Sequence, residues 1–192
     1  MSGCGGAGGP TTRSGGSGSD RLPADYIPLP AGRGPAYRLP AVSPAVARRA
    51  PIGGLRCTAD HPRSYGVHVE LYAHRLVVPV PAGIGIAPPQ QRKGAYVLSG
   101  ACSYPLRTFE PTGVFVVDAG RELSLGDLFA VWGQPLSQSM LASFRGTVHA
   151  FVGGHAWDRA PELIPLTRHA EIVLEVDGAV PPHPAYRFAP GL

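Results

Sequence analysis

The chain has 192 residues, and its 26 glycines and 22 prolines make up a quarter of it, a share typical of partly disordered sequences. Hydrophobic residues amount to 44%, which is enough for one core of ordinary size. Prolines interrupt the longest apolar stretch, residues 76–89, so no segment approaches the length of a membrane-spanning helix. The composition excludes a collagen and a coiled coil, and it predicts one domain preceded by a tail.

Residues 1–52 show no hydrophobic period of either two or 3.6, and Gly, Pro, Ser and Arg dominate them. This pattern predicts a disordered tether. Residues 1–56 carry seven arginines and two aspartates, whereas residues 57–192 carry ten basic and eleven acidic residues. A nucleic-acid reader would carry its positive charge on the folded part. The charge pattern therefore argues against nucleic acid as a partner and leaves an RNA-associated cytoplasmic protein as the least favoured alternative.

Residues 53–192 are predicted to form a single domain containing several strands. The clearest is residues 67–74, where apolar odd positions alternate with polar or amphipathic even ones, the period of a half-buried strand. Residues 76–80 are expected to pair back on it as a hairpin. Further strands are predicted at residues 95–98, 113–118, 147–152 and 169–176.

One segment has the pattern of a helix. Ser124 can cap its first turn together with Asp127, and Gly133 can end it in the left-handed conformation. Between them, apolar residues recur at helical spacing and form one stripe. One helix on a small mixed or antiparallel sheet is an α+β arrangement, and the order of the elements is similar to that of a β-grasp domain.

Three cysteines occur, Cys4, Cys57 and Cys102. The sequence Ser2-Gly3-Cys4 before a glycine-rich run resembles the end of a bacterial lipoprotein signal, in which the cysteine becomes the lipidated residue. Because only three residues precede Cys4, this interpretation predicts an apolar signal encoded upstream of Met1. The protein would then be anchored to the membrane through Cys4, outside the cytoplasm.

An oxidising compartment would leave Cys57 and Cys102 as an even pair. We therefore expect a disulfide between them, which would tie the entrance of the domain to the middle of its sheet. Two alternatives remain open: a pair of buried free thiols and a thiolate metal site.

An ordered series of motifs covers about residues 53–192. It consists of Gly54-Leu55-Arg56-Cys57, His68, Val80-Pro81-Ala82-Gly83-Ile84-Gly85-Ile86, Cys102, Pro111-Thr112-Gly113-Val114, Leu123-Ser124-Leu125-Gly126-Asp127-Leu128-Phe129-Ala130-Val131-Trp132-Gly133-Gln134-Pro135-Leu136 and Ile164-Pro165-Leu166-Thr167-Arg168-His169-Ala170. The series resembles a family of uncharacterised bacterial secreted or lipid-anchored proteins. The resemblance implies an extracytoplasmic location and no established activity.

In that family the segment after the second cysteine typically reads His-Thr-His-Asp, which is similar to a metal site. Here Arg107 and Phe109 stand in place of the histidines, and only Glu110 keeps a carboxylate. The resemblance implies that the family's histidine-rich site is degraded in this chain.

Histidine and glutamate side chains are the candidate metal ligands. His68, Glu70 and His74 share one face of the first strand, His169 and Glu171 begin another strand, and Glu110 keeps its carboxylate. Of these, His68, Glu70, Glu110 and His169 are the predicted ligands of a divalent transition metal, although alternating histidines also occur on ordinary solvent-exposed faces. The serines Ser99, Ser103 and Ser137 lie in no hydrolase motif, which favours a protein that is not an enzyme.

The leading hypothesis is a non-catalytic binding or structural domain tethered to the cell envelope. It would need no cofactor, and its partners would be the membrane and an unknown extracytoplasmic protein or ligand. The alternative is an extracytoplasmic protein that binds or depends on a metal, using His68 with Glu70, Glu110 or His169.

Overall fold

The structure is a computed structural model that describes Met1 and residues 38–192; Cys4 and residues 2–37 of the predicted tether lie outside the described residues. The helices are α1 (Pro44–Ala47) and α2 (Leu125–Trp132), with a 3₁₀ turn at Pro161–Leu163. The strands are β1 (Ser64–Ala73), β2 (Leu76–Val77), β3 (Gln91–Lys93), β4 (Tyr96–Ser99), β5 (Leu106–Arg107), β6 (Val114–Asp118), β7 (Leu136–Ser137), β8 (Met140–Leu141), β9 (Phe144–Arg145), β10 (Val148–Val152), β11 (His155–Ala156) and β12 (Glu171–Val176).

The main sheet has the strand order β11-β10-β12-β1-β6-β5, with β2 paired to β1. β1 and β12 are parallel at its centre, whereas the neighbouring pairs are antiparallel. The helix α2 follows β6 and precedes β10. If only the long strands β1, β6, β10 and β12 are counted, the first and last lie side by side and the helix follows the second, an order similar to that of a β-grasp domain. The α+β prediction, with a mixed sheet and one main helix, is therefore confirmed.

The two faces of the sheet differ in polarity because side chains alternate along each strand. On β1, Val67, Val69 and Leu71 enter the hydrophobic core. The same core contains Leu128 and Trp132 of α2. The intervening residues of β1 lie on the opposite face, which we call the second face. Most of the buried polar side chains among residues 38–192 lie there.

Both ends of α2 follow the predicted caps. The amide of Asp127 donates to Ser124 Oγ (3.2 Å), and the amide of Ser124 donates to Asp127 Oδ2 (2.9 Å). Gly133 ends the helix at φ 74°, a conformation that favours glycine. The cap fixes where α2 begins and so holds its apolar stripe over the sheet.

The Ser124→Ala variant should unfold about 1 kcal/mol more easily than the parent, because amide groups of the first turn lose their side-chain acceptor. Urea unfolding followed by circular dichroism would measure the difference. Ser137→Ala is the matched control, since within the described part of the chain the hydroxyl of Ser137 hydrogen-bonds only with its near neighbour Ser139. Equal losses in the two variants would contradict a capping role for Ser124.

The prediction of a disordered tether is wrong for residues 38–52, which pack on the domain. Val46 of α1 is fully buried, Trp132 Nε1 donates to the carbonyl of Pro40 (2.8 Å), and Tyr104 OH donates to the carbonyl of Ala50 (2.5 Å). The apolar residues here follow no regular period because they cover the end of α2 from a largely irregular segment. The domain therefore includes residues before the predicted boundary at residue 53.

Cys57 and Cys102 form the predicted disulfide, with 5.5 Å between their Cα atoms. The bond excludes both the free-thiol and the thiolate-metal alternatives for these cysteines, and it is compatible with an oxidising, extracytoplasmic compartment. Among the described residues, no helix has the length and hydrophobicity needed to cross a bilayer.

The segment after β12, residues 177–192, crosses the second face of the sheet, and we call it the C-terminal strap. The amide of Val180 donates to Glu175 Oε1 (3.1 Å), and the ring of Tyr186 stacks on His68 with 3.8 Å between centroids. Farther along, Phe188 lies so close to Gly66 that a Cβ there would come within 2.7 Å of its Cε1 atom. The strap thus buries a sheet face that carries charged side chains.

Candidate metal centre

Three side chains of the sheet meet one side chain of the C-terminal strap, and we call these four the acid-histidine cluster. His68 and Glu70 come from neighbouring positions of the second face of β1. Glu171 is the first residue of β12 and lies directly opposite His68 in the parallel register. His183 enters from the strap. The cluster therefore forms only when the two central strands and the strap come together.

His68 is held at both ring nitrogens. Its Nε2 lies 2.9 Å from the carbonyl of Thr112, and its Nδ1 lies 2.8 and 3.0 Å from the two carboxylate oxygens of Glu171. Because a carbonyl oxygen can only accept, Nε2 must carry a proton. Nδ1 is then the nitrogen that faces the carboxylates.

Glu70 lies between the two histidines. Its Oε2 accepts from Tyr72 OH (3.1 Å) and lies 2.6 Å from His183 Nδ1. Its other oxygen, Oε1, is 4.0 Å from His68 Nδ1. Glu70 therefore connects the strap to the sheet.

The cluster is largely screened from solvent: His68 and Glu171 are each 3% exposed and His183 is 4% exposed. Burial raises the pKa of the Glu171 carboxyl, and the hydrogen bond from His68 opposes that shift. Burial, followed by the charge of Glu70, also raises the pKa of Tyr72. Two carboxylates in such a place require positive partners.

The arrangement can hold a metal ion. One ligand atom each from His68, Glu70 and Glu171 lie within 4.8 Å of one another. Ligand atoms around a tetrahedral transition-metal ion are about 3.3 Å apart, so side-chain shifts of about 1 Å would close the site. His183 Nδ1 is outside this group of three ligand atoms, but it lies 2.6 Å from Glu70 Oε2, so a side-chain shift could add it as a fourth ligand. The bond from His68 Nε2 to a backbone carbonyl is the outer contact that orients a metal-binding imidazole.

The structure brings together only two of the four predicted ligands, His68 and Glu70. His169 lies before β12 at φ 61°, with its Nε2 2.6 Å from the carbonyl of Leu192 and its ring stacked on Phe188. Because β12 begins two residues later, Glu171 and not His169 lies opposite His68. The prediction that His169 joins the site is therefore corrected.

Glu110 is also outside the group of closely spaced ligand atoms. It accepts from Thr112 Oγ1 at 3.1 Å, in the loop between β5 and β6. The loop contributes to the cluster through its backbone instead, because the carbonyl of Thr112 accepts from His68.

Sequence reasoning placed Glu171 beside His169 at the start of a strand but did not include it among the four predicted ligands, and it missed His183. The alternation along residues 169–176 places Glu171 on the polar face of its strand, but it does not reveal which residue of β1 lies opposite. His183 lies in Val180-Pro181-Pro182-His183-Pro184, where no periodicity marks a buried residue.

A scan against models of protein families found no match to this chain, and neither did a search of curated proteins or a search of solved structures. What the chain can do must therefore be inferred from its own geometry.

Proposed function

We propose that this protein binds a divalent transition-metal ion outside the cytoplasm, with His68 Nδ1, Glu70, Glu171 and His183 as ligands. The observation that supports this function best is the convergence of three ligand atoms within 4.8 Å on a buried sheet face. Binding would be the function of this site, which accords with the leading hypothesis of a binding domain.

The types of ligand atom indicate which class of metal ion the site would bind. Two imidazole nitrogens and two carboxylates suit Zn²⁺ and its first-row neighbours, whereas Ca²⁺ and Mg²⁺ prefer all-oxygen sites. A divalent cation would also balance the charges of Glu70 and Glu171 in a site that is largely screened from solvent. The competing explanation is a buried ion pair of protonated His68 with Glu171, which requires no metal.

Titration of the chelator-treated protein, purified without a histidine tag, separates these explanations. Calorimetry should show one Zn²⁺ ion bound per protein molecule. The Glu171→Gln variant should bind Zn²⁺ about 10-fold to 100-fold more weakly. The control is His155→Gln, since His155 is exposed on β11. No saturable binding, or equal losses in the two variants, would favour the ion pair.

Metal removal should also lower the thermal stability. At a free Zn²⁺ concentration of about 100 times Kd, binding adds about 2.7 kcal/mol to the free energy of unfolding. For a domain of this size that corresponds to a Tm increase of roughly 5–10 °C. Thermal unfolding with Zn²⁺ and with excess chelator would show the shift. A Glu171→Gln protein with the same shift would contradict binding at the cluster.

We also propose that the domain is tethered to the cell envelope through lipidated Cys4. The disulfide supports an oxidising compartment, and the Ser2-Gly3-Cys4 sequence supports the anchor. Cells that express the natural gene and are fed a radiolabelled fatty acid should label the protein, and Cys4→Ser should abolish the label. Labelling that persists in Cys4→Ser would contradict this anchor.

A further inference from the structure

A second group of polar side chains lies near the disulfide, on the side of β1 where β6 pairs with it. The acid-histidine cluster, by contrast, includes Glu171 of β12, which pairs with the other edge of β1. Ser103 Oγ is 2.7 Å from His61 Nε2, and His61 Nδ1 is 2.8 Å from Asp118 Oδ2. Hydroxyl, imidazole and carboxylate in this order, at these distances, form the constellation that serine hydrolases use. We propose that Ser103, His61 and Asp118 are a catalytic triad that hydrolyses carboxylic esters with short apolar acyl groups.

The disulfide brings the nucleophile and the base together. Cys57 and Cys102 immediately precede Thr58 and Ser103, and the amide of each of these two residues donates to the carbonyl of the other at 2.9 Å. The segment that carries His61 therefore runs beside the one that carries Ser103. These contacts are made by backbone and a covalent bond, which suits a site that needs fixed geometry.

Asp118 determines which ring nitrogen of His61 carries the proton. It is the last residue of β6 and is 3% exposed, and its Oδ1 accepts from Arg107 Nη1 at 2.7 Å. Its Oδ2 is left for His61. Arg107 Nη1 also lies 3.1 Å from His61 Nδ1, but its shorter bond is the one to Asp118 Oδ1. Asp118 Oδ2 is the closer partner of Nδ1 at 2.8 Å and can only accept, so Nδ1 carries the proton and Nε2 presents its lone pair to the Ser103 hydroxyl. The charge of Arg107 partly offsets that of Asp118, so we expect slower turnover than in a triad without such a cation.

The substrate class follows from the cavity beside the triad. A surface cavity of about 280 Å³ is lined by Ser103 and His61, by the apolar side chains of Ile86, Leu98 and Phe109, and by the polar side chains of Thr58, Ser99 and Arg107. Leu98 is 57% exposed, so one apolar side chain of the lining faces solvent. The size of the cavity and its three large apolar side chains fit a short uncharged acyl chain.

The chemistry is acyl transfer in two steps. Ser103 Oγ attacks the ester carbonyl carbon while its proton passes to His61 Nε2; the bond from that carbon to the alcohol oxygen then breaks, and His61 returns the proton to the alcohol. Water attacks the acyl-serine with His61 again taking and returning a proton. The products are one carboxylic acid and one alcohol, with Ser103 regenerated.

Hydrolysis of p-nitrophenyl acetate and butyrate tests the activity, with EDTA present so that a metal at the acid-histidine cluster contributes nothing. The Ser103→Ala and His61→Gln variants should each hydrolyse these esters at least about 100-fold more slowly than the parent. Ser137→Ala should keep it. Circular dichroism and Tm would verify that each variant is folded.

Covalent labelling tests the nucleophile independently of turnover. A fluorophosphonate should transfer its phosphonyl group to Ser103 Oγ with loss of fluoride, and peptide mass spectrometry should find the adduct on the peptide containing Ser103. His61→Gln should suppress it, and Ser137→Ala should not. No adduct in the folded parent, an adduct on a different serine, or a hydrolysis rate unchanged by Ser103→Ala would overturn the assignment. None of these results depends on whether the acid-histidine cluster binds a metal.

Discussion

Replacing both bridging cysteines, as Cys57→Ala together with Cys102→Ala, should lower the free energy of unfolding by about 4 kcal/mol. The bond spans a sequence separation of 45 residues, so its loss frees a long loop in the unfolded chain. In the folded chain it holds the segment before β1 against the segment before β5. A loss of this size is a large share of the roughly 5–15 kcal/mol that stabilises a typical domain.

Urea unfolding of the parent and the double variant would measure the difference. Dithiothreitol provides the control, because it should destabilise the parent and leave the double variant unchanged. A difference below about 1 kcal/mol would contradict the stabilising role of the bond, since it is well under the chain-entropy value.

Arg107→Ala should cost about 3–5 kcal/mol, because it leaves the carboxylate of Asp118 buried without its cation. The two side chains are 6% and 4% exposed and lie 2.7 Å apart. The charge of Arg107 neutralises that of Asp118. The substitution would act on stability through the unpaired charge more than through lost packing.

A double-mutant cycle separates the two contributions. Asp118→Ala combined with Arg107→Ala should recover part of the loss seen in Arg107→Ala alone, since no unpaired charge then remains. Chemical unfolding of the parent and of the three variants gives the interaction free energy. Strictly additive losses would mean that Arg107 and Asp118 do not stabilise each other.

Local signals predicted α2 and the longer strands of the main sheet. They did not predict α1 or the strands of two or three residues β3, β5, β7, β8, β9 and β11. The cap at Ser124, the stop at Gly133 and the apolar stripe between them define α2 without reference to the rest of the chain. The alternation in residues 67–74 likewise predicts which side chains of β1 enter the core. Such patterns depend on neighbours along the chain, which the sequence displays directly.

The sites depend on contacts between distant residues. His68 meets Glu171 across 103 residues, and His61 meets Ser103 across 42. Strand register and the path of the C-terminal strap decide these contacts, and neither has a periodic signal. The packing of residues 38–52 was missed for the same reason, since its apolar residues fit a surface made by α2 and its neighbours.

Anomalous diffraction from crystals grown with Zn²⁺ tests the proposed metal site most directly. A peak at the zinc edge is expected about 2.0–2.2 Å from His68 Nδ1 and from carboxylate oxygens of Glu70 and Glu171, with His183 completing the coordination. No peak there, with His68 still bonded to Glu171 at saturating zinc, would contradict metal binding at the acid-histidine cluster.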